Sequence, residues 1–188
     1  GGEGDLLLVL ESTQDTPPEF SVDFPLSVVF NGPDQQFVLS GEDLVLMQVK
    51  GRDFRVSAGS FFQTNLPQAE AMVNHVLTLA GDLTGKTVLD AYCGVGLFSA
   101  FLAATAKRLI AIEAAESSCN DFAVNLDEYD NVELYIDQTE NVLPGLEIPL
   151  DLVVVAPPRA GLDARVISAL AAATPQKSIY VSCAPATL

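Results

Sequence analysis

The sequence has few basic residues and no long apolar run. Only 9 of its 188 residues are lysine or arginine, against 25 aspartates and glutamates, which gives a formal net charge of −16. Because no basic stripe is present, this stretch of chain is not expected to bind a phosphate backbone by itself. The longest apolar runs, such as residues 152–156, are far too short to span a bilayer. No basic segment followed by an apolar one opens the chain as a secretory signal would.

Cysteine is also scarce, with three residues at positions 93, 119 and 183. They form no Cys-x-x-Cys pair and leave one over if two were joined, so neither a zinc site nor a disulfide framework is expected. A reducing cytoplasm fits this usage best. Apolar residues make up 49% of the chain and charged residues 18%, which excludes intrinsic disorder.

Turn residues divide the first sixty positions into short apolar runs. Residues 16–18, 31–34 and 40–42 combine proline, glycine, asparagine and acidic residues. This pattern predicts small antiparallel β structure with hairpin-like connections. The predicted strands cover residues 6–10, 27–30, 37–39, 44–49 and 54–56.

After residue 60 the pattern alternates between strands and helices. Apolar residues recur every three or four positions from residue 66 to residue 80, which predicts a helix there. This alternation indicates an α/β fold with a parallel, doubly wound sheet. Further strands are predicted over residues 86–92, 108–113, 132–136, 152–156 and 178–183, and further helices over 94–106, 117–129 and 164–173.

A glycine-containing turn follows the first strand of this sheet. Asp90 lies near the strand's end, and Gly94 and Gly96 open the next helix. Glycines let a ligand approach the backbone, and a helix N-terminus offers unpaired N–H groups. A dinucleotide-binding turn would have a third glycine where this sequence has Ser99. That departure, and an acid at Asp90 that suits a cationic ligand, favour S-adenosylmethionine over NAD.

An acidic residue ends the second strand of the sheet. Glu113 follows Asp90 by the interval, about 20 residues, at which Rossmann-type sheets place an acid on ribose hydroxyls. Alternatively, Asp90 only caps a helix and Glu113 is an ordinary charge at a strand end. The strand-turn-helix context of both residues favours a nucleotide-type cofactor.

Cys183 lies at the end of the fifth predicted strand. Ligands of open α/β sheets bind outside the carboxyl ends of the strands, so a nucleophile would lie there. A free cysteine is more often a buried structural residue, and position alone favours that interpretation.

Four segments together resemble the RNA uracil-5-methyltransferase family, which makes 5-methyluridine in tRNA and ribosomal RNA with S-adenosyl-L-methionine. The resemblance is close after residue 50 and looser before it. It implies a Rossmann-like class I methyltransferase sheet, incomplete with about five parallel strands, preceded by a small β-rich segment. The segments are FRVSAGSFFQTN at 54–65, VLDAYCGVGLF at 88–98, VVVAPPRAGL at 153–162 and YVSCAPATL at 180–188.

The resemblance implies a division of the chain and a set of partners. Residues 1–56 would be part of a β-rich central domain, and residues 57–188 a methyltransferase domain truncated at its C-terminus. RNA, either tRNA or rRNA, would be bound largely through regions outside this chain, and neither DNA nor a membrane is an expected partner. The glutamate that serves the family as general base is expected beyond Leu188.

The family's functional residues carry over position by position. Cys183 matches the catalytic nucleophile, which adds to carbon 6 of uracil and overturns the structural interpretation of that cysteine. Phe61 matches an aromatic residue near the target base, and Arg159 would contact phosphate or pair with a carboxylate. The positions that match or lie beside cofactor contacts are Gln63, Asp90, Tyr92, Gly94, Gly96, Glu113, Asp137 and Ala156.

Two positions depart from the family pattern. Position 156 is alanine where the family has aspartate, and Ala184 stands where aspartate or asparagine usually follows the nucleophile. Loss of such a polar contact typically costs ~10²–10³ in rate. The sequence therefore indicates an S-adenosylmethionine-dependent RNA uracil-5-methyltransferase, with a catalytically impaired module of the same descent as the alternative and a NAD-dependent oxidoreductase as a disfavoured third.

Overall fold

The computed structural model describes residues 6–14, 16–19 and 21–182. Two small β-sheets are followed by a five-stranded parallel sheet with helices on both faces. The strands are β1 (Leu7–Glu11), β2 (Ser27–Asn31), β3 (Gln36–Ser40), β4 (Leu44–Val49), β5 (Arg52–Ser57), β6 (Thr87–Ala91), β7 (Arg108–Glu113), β8 (Val132–Ile136), β9 (Leu152–Val155) and β10 (Lys177–Tyr180). The helices are α1 (Leu66–Ala80), α2 (Leu97–Ala103), α3 (Glu116–Asn125), α4 (Thr139–Val142) and α5 (Ala164–Ala173), and a 3-10 turn spans Leu143–Gly145.

The first three strands form one sheet in the order β1-β2-β3. β2 and β3 pair antiparallel, as predicted, but β1 and β2 pair parallel, so the antiparallel prediction was wrong for that pair. The loop from Glu11 to Ser27 is long enough for the chain to cross over and run in the same direction. β4 and β5 form the predicted hairpin, with Lys50 and Gly51 both at positive φ as a type I′ turn requires.

The main sheet has the strand order β10-β9-β6-β7-β8, and every neighbouring pair is parallel. The chain adds β7 and β8 on one side of β6, then returns to add β9 and β10 on the other side. This confirms the predicted doubly wound sheet. The order therefore reverses between β6 and β9, and such a switch point leaves a crevice at the carboxyl ends of the strands.

Alternate residues of the central strands pack into two hydrophobic cores. Val88, Leu109 and Val154 face α1, α2 and α3 in one core, whereas Leu89, Ile110 and Val153 face the side of α4 and α5 in the other. Burial on both faces explains why these strands read as nearly continuous apolar runs.

Several predicted boundaries were displaced, although the elements themselves are present. α2 ends at Ala103 rather than residue 106, and α3 ends at Asn125 rather than residue 129. α1 matches its prediction; the Asn65 side chain accepts a hydrogen bond from Gln68 N, and a proline occupies the first turn. α4 and the 3-10 turn after it were not predicted.

The β4–β5 hairpin packs against the main sheet's own core. Val49, Phe54 and Val56 are buried together with residues of α1 and α2. The Phe54 ring lies 6.1 Å from the Phe101 ring between centroids. The hairpin is therefore joined to the parallel sheet by apolar contact, while the domain division at residue 56 stays a prediction.

Candidate functional site

The carboxyl ends of the parallel strands bring distant parts of the sequence to one edge. Just past the strand ends, Ala156 N donates to Ala91 O at 3.2 Å, and Cys93 N donates to Ile112 O at 3.1 Å. On the other side Val181 N donates to Val155 O at 2.8 Å. The segments after β6, β9 and β10 are thus held side by side at this edge, next to the crevice that the strand order creates.

The loop between β6 and α2 has an unusual backbone. Tyr92, Gly94 and Gly96 all have positive φ, at 62°, 56° and 93°. For a bulky residue such as Tyr92 this conformation costs on the order of 1–3 kcal/mol, and such residues cluster at functional sites. Three left-handed residues within five positions turn the chain sharply from the strand into the helix.

Gly94 and Gly96 of this loop have different surroundings. A Cβ built on Gly96 would lie 2.4 Å from Leu126 Cδ1 and 3.0 Å from Phe122 Cδ2, so this glycine lets the loop pack against α3 and its end. A Cβ built on Gly94 would meet no atom within 4 Å. Gly94 therefore faces open space, where a ligand can approach the backbone, and Gly96 faces protein.

Glu113 fastens the glycine loop to the neighbouring strand. Its Oε2 accepts from Gly94 N at 2.9 Å, and its Oε1 accepts from Ala114 N and Ala115 N, each at 2.8 Å. The residue is only partly buried, at the end of β7. Its carboxylate thus lies beside the open face of Gly94, which is the placement expected for an acid that receives ribose hydroxyls.

Asp90 does not face an open site. Its side chain is fully buried, Oδ2 accepts from Ser99 Oγ at 2.6 Å, and Oδ1 has no partner among the described residues. Burial raises the pKa of Asp90 to about 7, against an ordinary value of 3.8. The expectation that Asp90 meets a cationic ligand directly is therefore corrected: the carboxylate is enclosed beneath the loop, where apolar surroundings favour its neutral form.

Tyr92 and Asp137 each follow the end of a strand at this edge, Tyr92 after β6 and Asp137 after β8. Tyr92 is half-buried, and burial, followed by the nearby charge of Glu140, raises the pKa of its hydroxyl. Asp137, exposed after β8, accepts from Asn141 Nδ2 at 2.9 Å and from Gln138 N at 2.6 Å. These bonds lower the pKa of Asp137, so it is a fixed negative charge beyond the third strand.

The segment after β9 carries two further candidates. Ala156 is half-buried and packs against the core, so its methyl group offers no polar atom to the crevice. Arg159 is exposed, in a turn closed by a bond from Gly161 N to Pro158 O at 2.9 Å. Cys183 and Ala184 lie outside the described residues, which end at Ser182, two positions after β10.

The loop after β5 carries the remaining predicted site residues. Phe61 is 74% exposed, whereas Phe62 is buried with its ring 5.7 Å from that of Phe54 between centroids. Gln63 is half-buried. The alternation anchors the loop through Phe62 and leaves Phe61 free to meet a partner.

The sequence reading missed Asp121 and Asn125, which hold this loop to α3. The Asp121 carboxylate is completely enclosed and accepts hydrogen bonds from Arg55, Ser57 and Ser60. The one available signal was spacing: these two polar residues lie four positions apart on a helix, so they share a face.

The residues at this edge fit a cofactor in which a nucleoside is joined to a positively charged sulfonium group. Gly94 offers a close approach to backbone, Glu113 offers a carboxylate beside it, and Asp137 adds a negative charge farther along the edge. No basic side chain for a pyrophosphate stands among these positions. Among residues 6–14, 16–19 and 21–182, no group of three histidine, cysteine or acidic side chains is arranged to hold a metal ion. No helix in the same part of the chain is both long and apolar enough to cross a bilayer.

Comparison with known proteins gives a consistent result at the level of sequence. The sequence model of a family described as tRNA (Uracil-5-)-methyltransferase matches residues 20–143. An uncharacterized RNA methyltransferase of Clostridium tetani is 38% identical over 160 residues, which are 82% of this chain and 35% of that protein. Another from Listeria monocytogenes is 36% identical over 168 residues, which are 86% of this chain and 36% of that protein. The chain thus spans about a third of the length of these relatives.

Solved structures of methyltransferases share the fold of this chain. Pyrococcus abyssi tRNA (uracil-54, C5)-methyltransferase in complex with S-adenosyl-L-homocysteine superposes with a TM-score of 0.72 at 25% identity, covering 97% of this chain and 48% of that one. The tRNA m1G37 methyltransferase of M. jannaschii shares the fold, with a TM-score of 0.58 at 15% identity over 89% of this chain and 55% of its own. These likenesses confirm the predicted Rossmann-like methyltransferase sheet.

Proposed function

The chain belongs to the tRNA (uracil-5-)-methyltransferase family, and on that premise we propose that the whole protein methylates carbon 5 of a uridine in tRNA or rRNA. The family uses S-adenosylmethionine, which disposes of the NAD alternative. The observation that carries the proposal is the shared edge, where Glu113 holds the open glycine loop beside the segments that follow β9 and β10. Cys183 follows β10 by three positions in the sequence and lies just outside the described residues.

Cofactor binding is assigned to residues at or near that edge. When bound, S-adenosylmethionine supplies a methyl group on a positively charged sulfur. We assign the ribose hydroxyls to Glu113, the adenine end to Asp137, and close backbone approach to Gly94 beside Tyr92. Gln63 adds an amide from the loop after β5. Asp90 and Gly96 act indirectly, because one lies enclosed beneath the loop and the other packs against α3.

The proposed nucleophile is Cys183. Its thiolate adds to carbon 6 of the uracil ring, and the electron pair of the 5,6 double bond moves onto carbon 5 and the adjacent carbonyl. Carbon 5 would then take the methyl group as the bond between that group and the sulfonium sulfur breaks, and the sulfur would keep the electron pair. A base removes the proton from carbon 5, the double bond re-forms, and the thiolate leaves. Covalent addition thus divides the alkylation of an unactivated ring into easier steps.

The target base must leave its stack to reach Cys183. Phe61 is 74% exposed, and a ring so presented gives an unstacked base a surface to stack on. Exposed Arg159 is assigned to an RNA phosphate, since its guanidinium forms none of the ion pairs found among the described residues.

The test is mechanism-based trapping in the whole protein. RNA containing 5-fluorouracil carries fluorine in place of the carbon 5 proton that must depart, so the covalent adduct cannot resolve. We expect a protein–RNA adduct on denaturing gels that requires S-adenosylmethionine and is absent in Cys183→Ala. Cys119→Ala, which removes a different cysteine, is the matched control and should still form adduct. No adduct in the wild-type protein, or adduct retained in Cys183→Ala, would overturn the proposal.

A second candidate, a catalytically impaired module that still binds the cofactor, is favoured by Ala156. An alanine methyl at the crevice cannot orient a uracil or accept a hydrogen bond. If this is the reason for low activity, Ala156→Asp should raise turnover about 10²–10³-fold, the usual effect of one transition-state polar contact. Cofactor affinity measured by calorimetry should stay nearly constant. An Ala156→Asp variant no faster than wild type would count against this candidate.

A further inference from the structure

One face of α3 carries a row of polar side chains at four-residue intervals. Ser117, Asp121 and Asn125 share this face, and the backbone of the loop after β5 lies directly on it. A Cβ built on Gly59 would lie 3.1 Å from Ser117 Oγ and 3.2 Å from Ser117 Cβ, so a larger residue at position 59 would crowd this face. The loop is the segment that carries Phe61 and Gln63.

Asp121 makes the densest set of contacts in this row. Its Oδ1 accepts from Arg55 Nε at 3.0 Å and Ser57 Oγ at 2.7 Å. Its Oδ2 accepts from Ser57 N at 2.8 Å and Ser60 Oγ at 2.6 Å. The carboxylate has no exposed surface. A buried carboxylate with four donors is strongly fixed, and it fixes the backbone that supplies them.

Asn125 extends the same row to the glycine loop. Its Oδ1 accepts from Arg55 N at 2.8 Å, and its Nδ2 donates to Arg55 O at 3.0 Å. The same Nδ2 donates to Val95 O at 2.9 Å, between Gly94 and Gly96. One helix face therefore bonds both the end of β5 and the loop assigned to the cofactor.

We propose that Asp121 is a positioning residue, which holds the loop bearing Phe61 and Gln63 in a fixed place relative to the glycine loop. This inference rests on the proposed function, because it gives the two loops their roles toward target base and cofactor. Asp121 touches neither. It acts through the backbone of Ser57 and the hydroxyl of Ser60, and Asn125 ties the same framework to Val95.

Asp121→Asn tests this with little change in volume. Arg55 Nε and Ser57 N donate to different oxygens of the carboxylate. Whichever way the new amide lies, one of these N–H groups faces an NH₂ group, which cannot accept. The serine hydroxyls can rotate to adapt. The substitution therefore removes the hydrogen bond from Ser57 N or the one from Arg55 Nε, and it leaves α3 intact.

Asp151→Asn is the matched control. Asp151 Oδ2 accepts from Thr87 N at 2.8 Å, and its Oδ1 accepts from Gln176 Nε2 at 2.8 Å. It makes the same kind of carboxylate-to-backbone bond, but within the main sheet and at the amino ends of its strands. A loss that reflects only general stability should appear in both variants.

The measurements are hydrogen exchange over residues 57–65 and calorimetric affinity for S-adenosyl-L-homocysteine, on the whole protein. In Asp121→Asn we expect exchange of this loop to rise at least about tenfold and the dissociation constant to rise about tenfold, the effect of one lost hydrogen bond. Asp151→Asn should change neither.

Two outcomes would overturn the inference: loop exchange unchanged in Asp121→Asn, or the same increase in both variants. Failure of the proposed function looks different, because the wild-type protein would then bind no S-adenosyl-L-homocysteine and form no adduct with fluorinated RNA. In that case the exchange comparison still decides whether Asp121 holds the loop.

Discussion

Among the residues that the structure describes, two aspartates are wholly enclosed, one beneath the glycine loop and one on α3, and their surroundings are opposite. Asp121 receives four hydrogen bonds, one of them from an arginine. Asp90 receives one, from Ser99, and its second oxygen has no partner in the described part of the chain. Both oxygens of the first carboxylate are hydrogen-bonded, and only one oxygen of the second is.

The difference in hydrogen bonding distinguishes the structural framework on α3 from the candidate site at the glycine loop. A buried carboxylate that is fully hydrogen-bonded fixes the elements around it. A buried carboxylate with an unsatisfied oxygen and a pKa raised to about 7 lies under a loop with three left-handed residues. Incomplete satisfaction and backbone strain both cluster at functional regions. The carboxylate beneath the glycine loop is thus less completely bonded than the carboxylate on α3.

Replacing each of the two aspartates in turn by alanine should make this contrast measurable. This comparison gives the largest expected change in the free energy of unfolding. Asp121→Ala leaves the Ser57 N–H and the partly exposed Arg55 guanidinium without their buried partner, and we expect it to cost about 3 kcal/mol of unfolding free energy, since an unsatisfied buried donor typically costs about 1–3 kcal/mol. Asp90→Ala removes a poorly satisfied group and should cost less than about 2 kcal/mol. Urea unfolding of the whole protein at pH 7 compares them. Equal losses would show that the two environments do not differ in this way.

The pH dependence of stability should isolate Asp90. Because its pKa rises from 3.8 in the unfolded chain to about 7 in the folded one, the neutral form is favoured by folding. The stabilisation is complete below pH 4 and is lost as pH rises through 7, by at most about 1.4 kcal/mol per pH unit. Asp90→Asn should remove this decline.

The measurement is the difference between wild-type and Asp90→Asn unfolding free energies from pH 4 to pH 8, so that other carboxylates cancel. Asp151→Asn, which alters a carboxylate at the opposite edge, should not flatten the same window. A difference that does not change with pH would contradict the enclosure of Asp90.

The sequence predicted the fold better than it predicted the surroundings of Asp90 and Asp121. The bounds of α1, α5, β7 and β8 matched their predictions, because apolar spacing and flanking turn residues are local signals. The direction of β1 relative to β2 was wrong, since an apolar run shows that a strand exists but not which way it pairs. The end of α3 was also missed, because the sequence pattern continues past Asn125, whose side chain is bonded to Arg55 and Val95.

The residues of the candidate site also differ in how well the sequence predicted their placement. Residues that end strands, such as Glu113 and Ala156, lie at the predicted edge because topology alone puts them there. Asp90 was interpreted as a ligand contact since an acid before a glycine turn has that appearance in sequence. Whether its carboxylate points into a crevice or beneath a loop depends on packing against α2, which no local pattern contains. For Asp121, the four-residue spacing to Asn125 indicates a shared helix face, but the loop that packs on that face is known only from the structure.

The smallest expected effect concerns Ser99, which donates a hydrogen bond to Asp90. Ser99 Oγ lies 2.6 Å from Asp90 Oδ2, and a hydrogen bond to a charged group contributes about 1.5–3 kcal/mol, whereas one between neutral groups contributes about 1. Ser99→Ala should therefore cost about 1.5 kcal/mol at pH 8, where Asp90 is ionised, and roughly half of that at pH 4. It should also raise the pKa of Asp90 further. Ser168→Ala, which removes a hydroxyl bonded only to its own helix, is the control. A loss in Ser99→Ala that is equal at both pH values would mean that Asp90 keeps one charge state throughout, and the contrast with Asp121 would then rest on bond number alone.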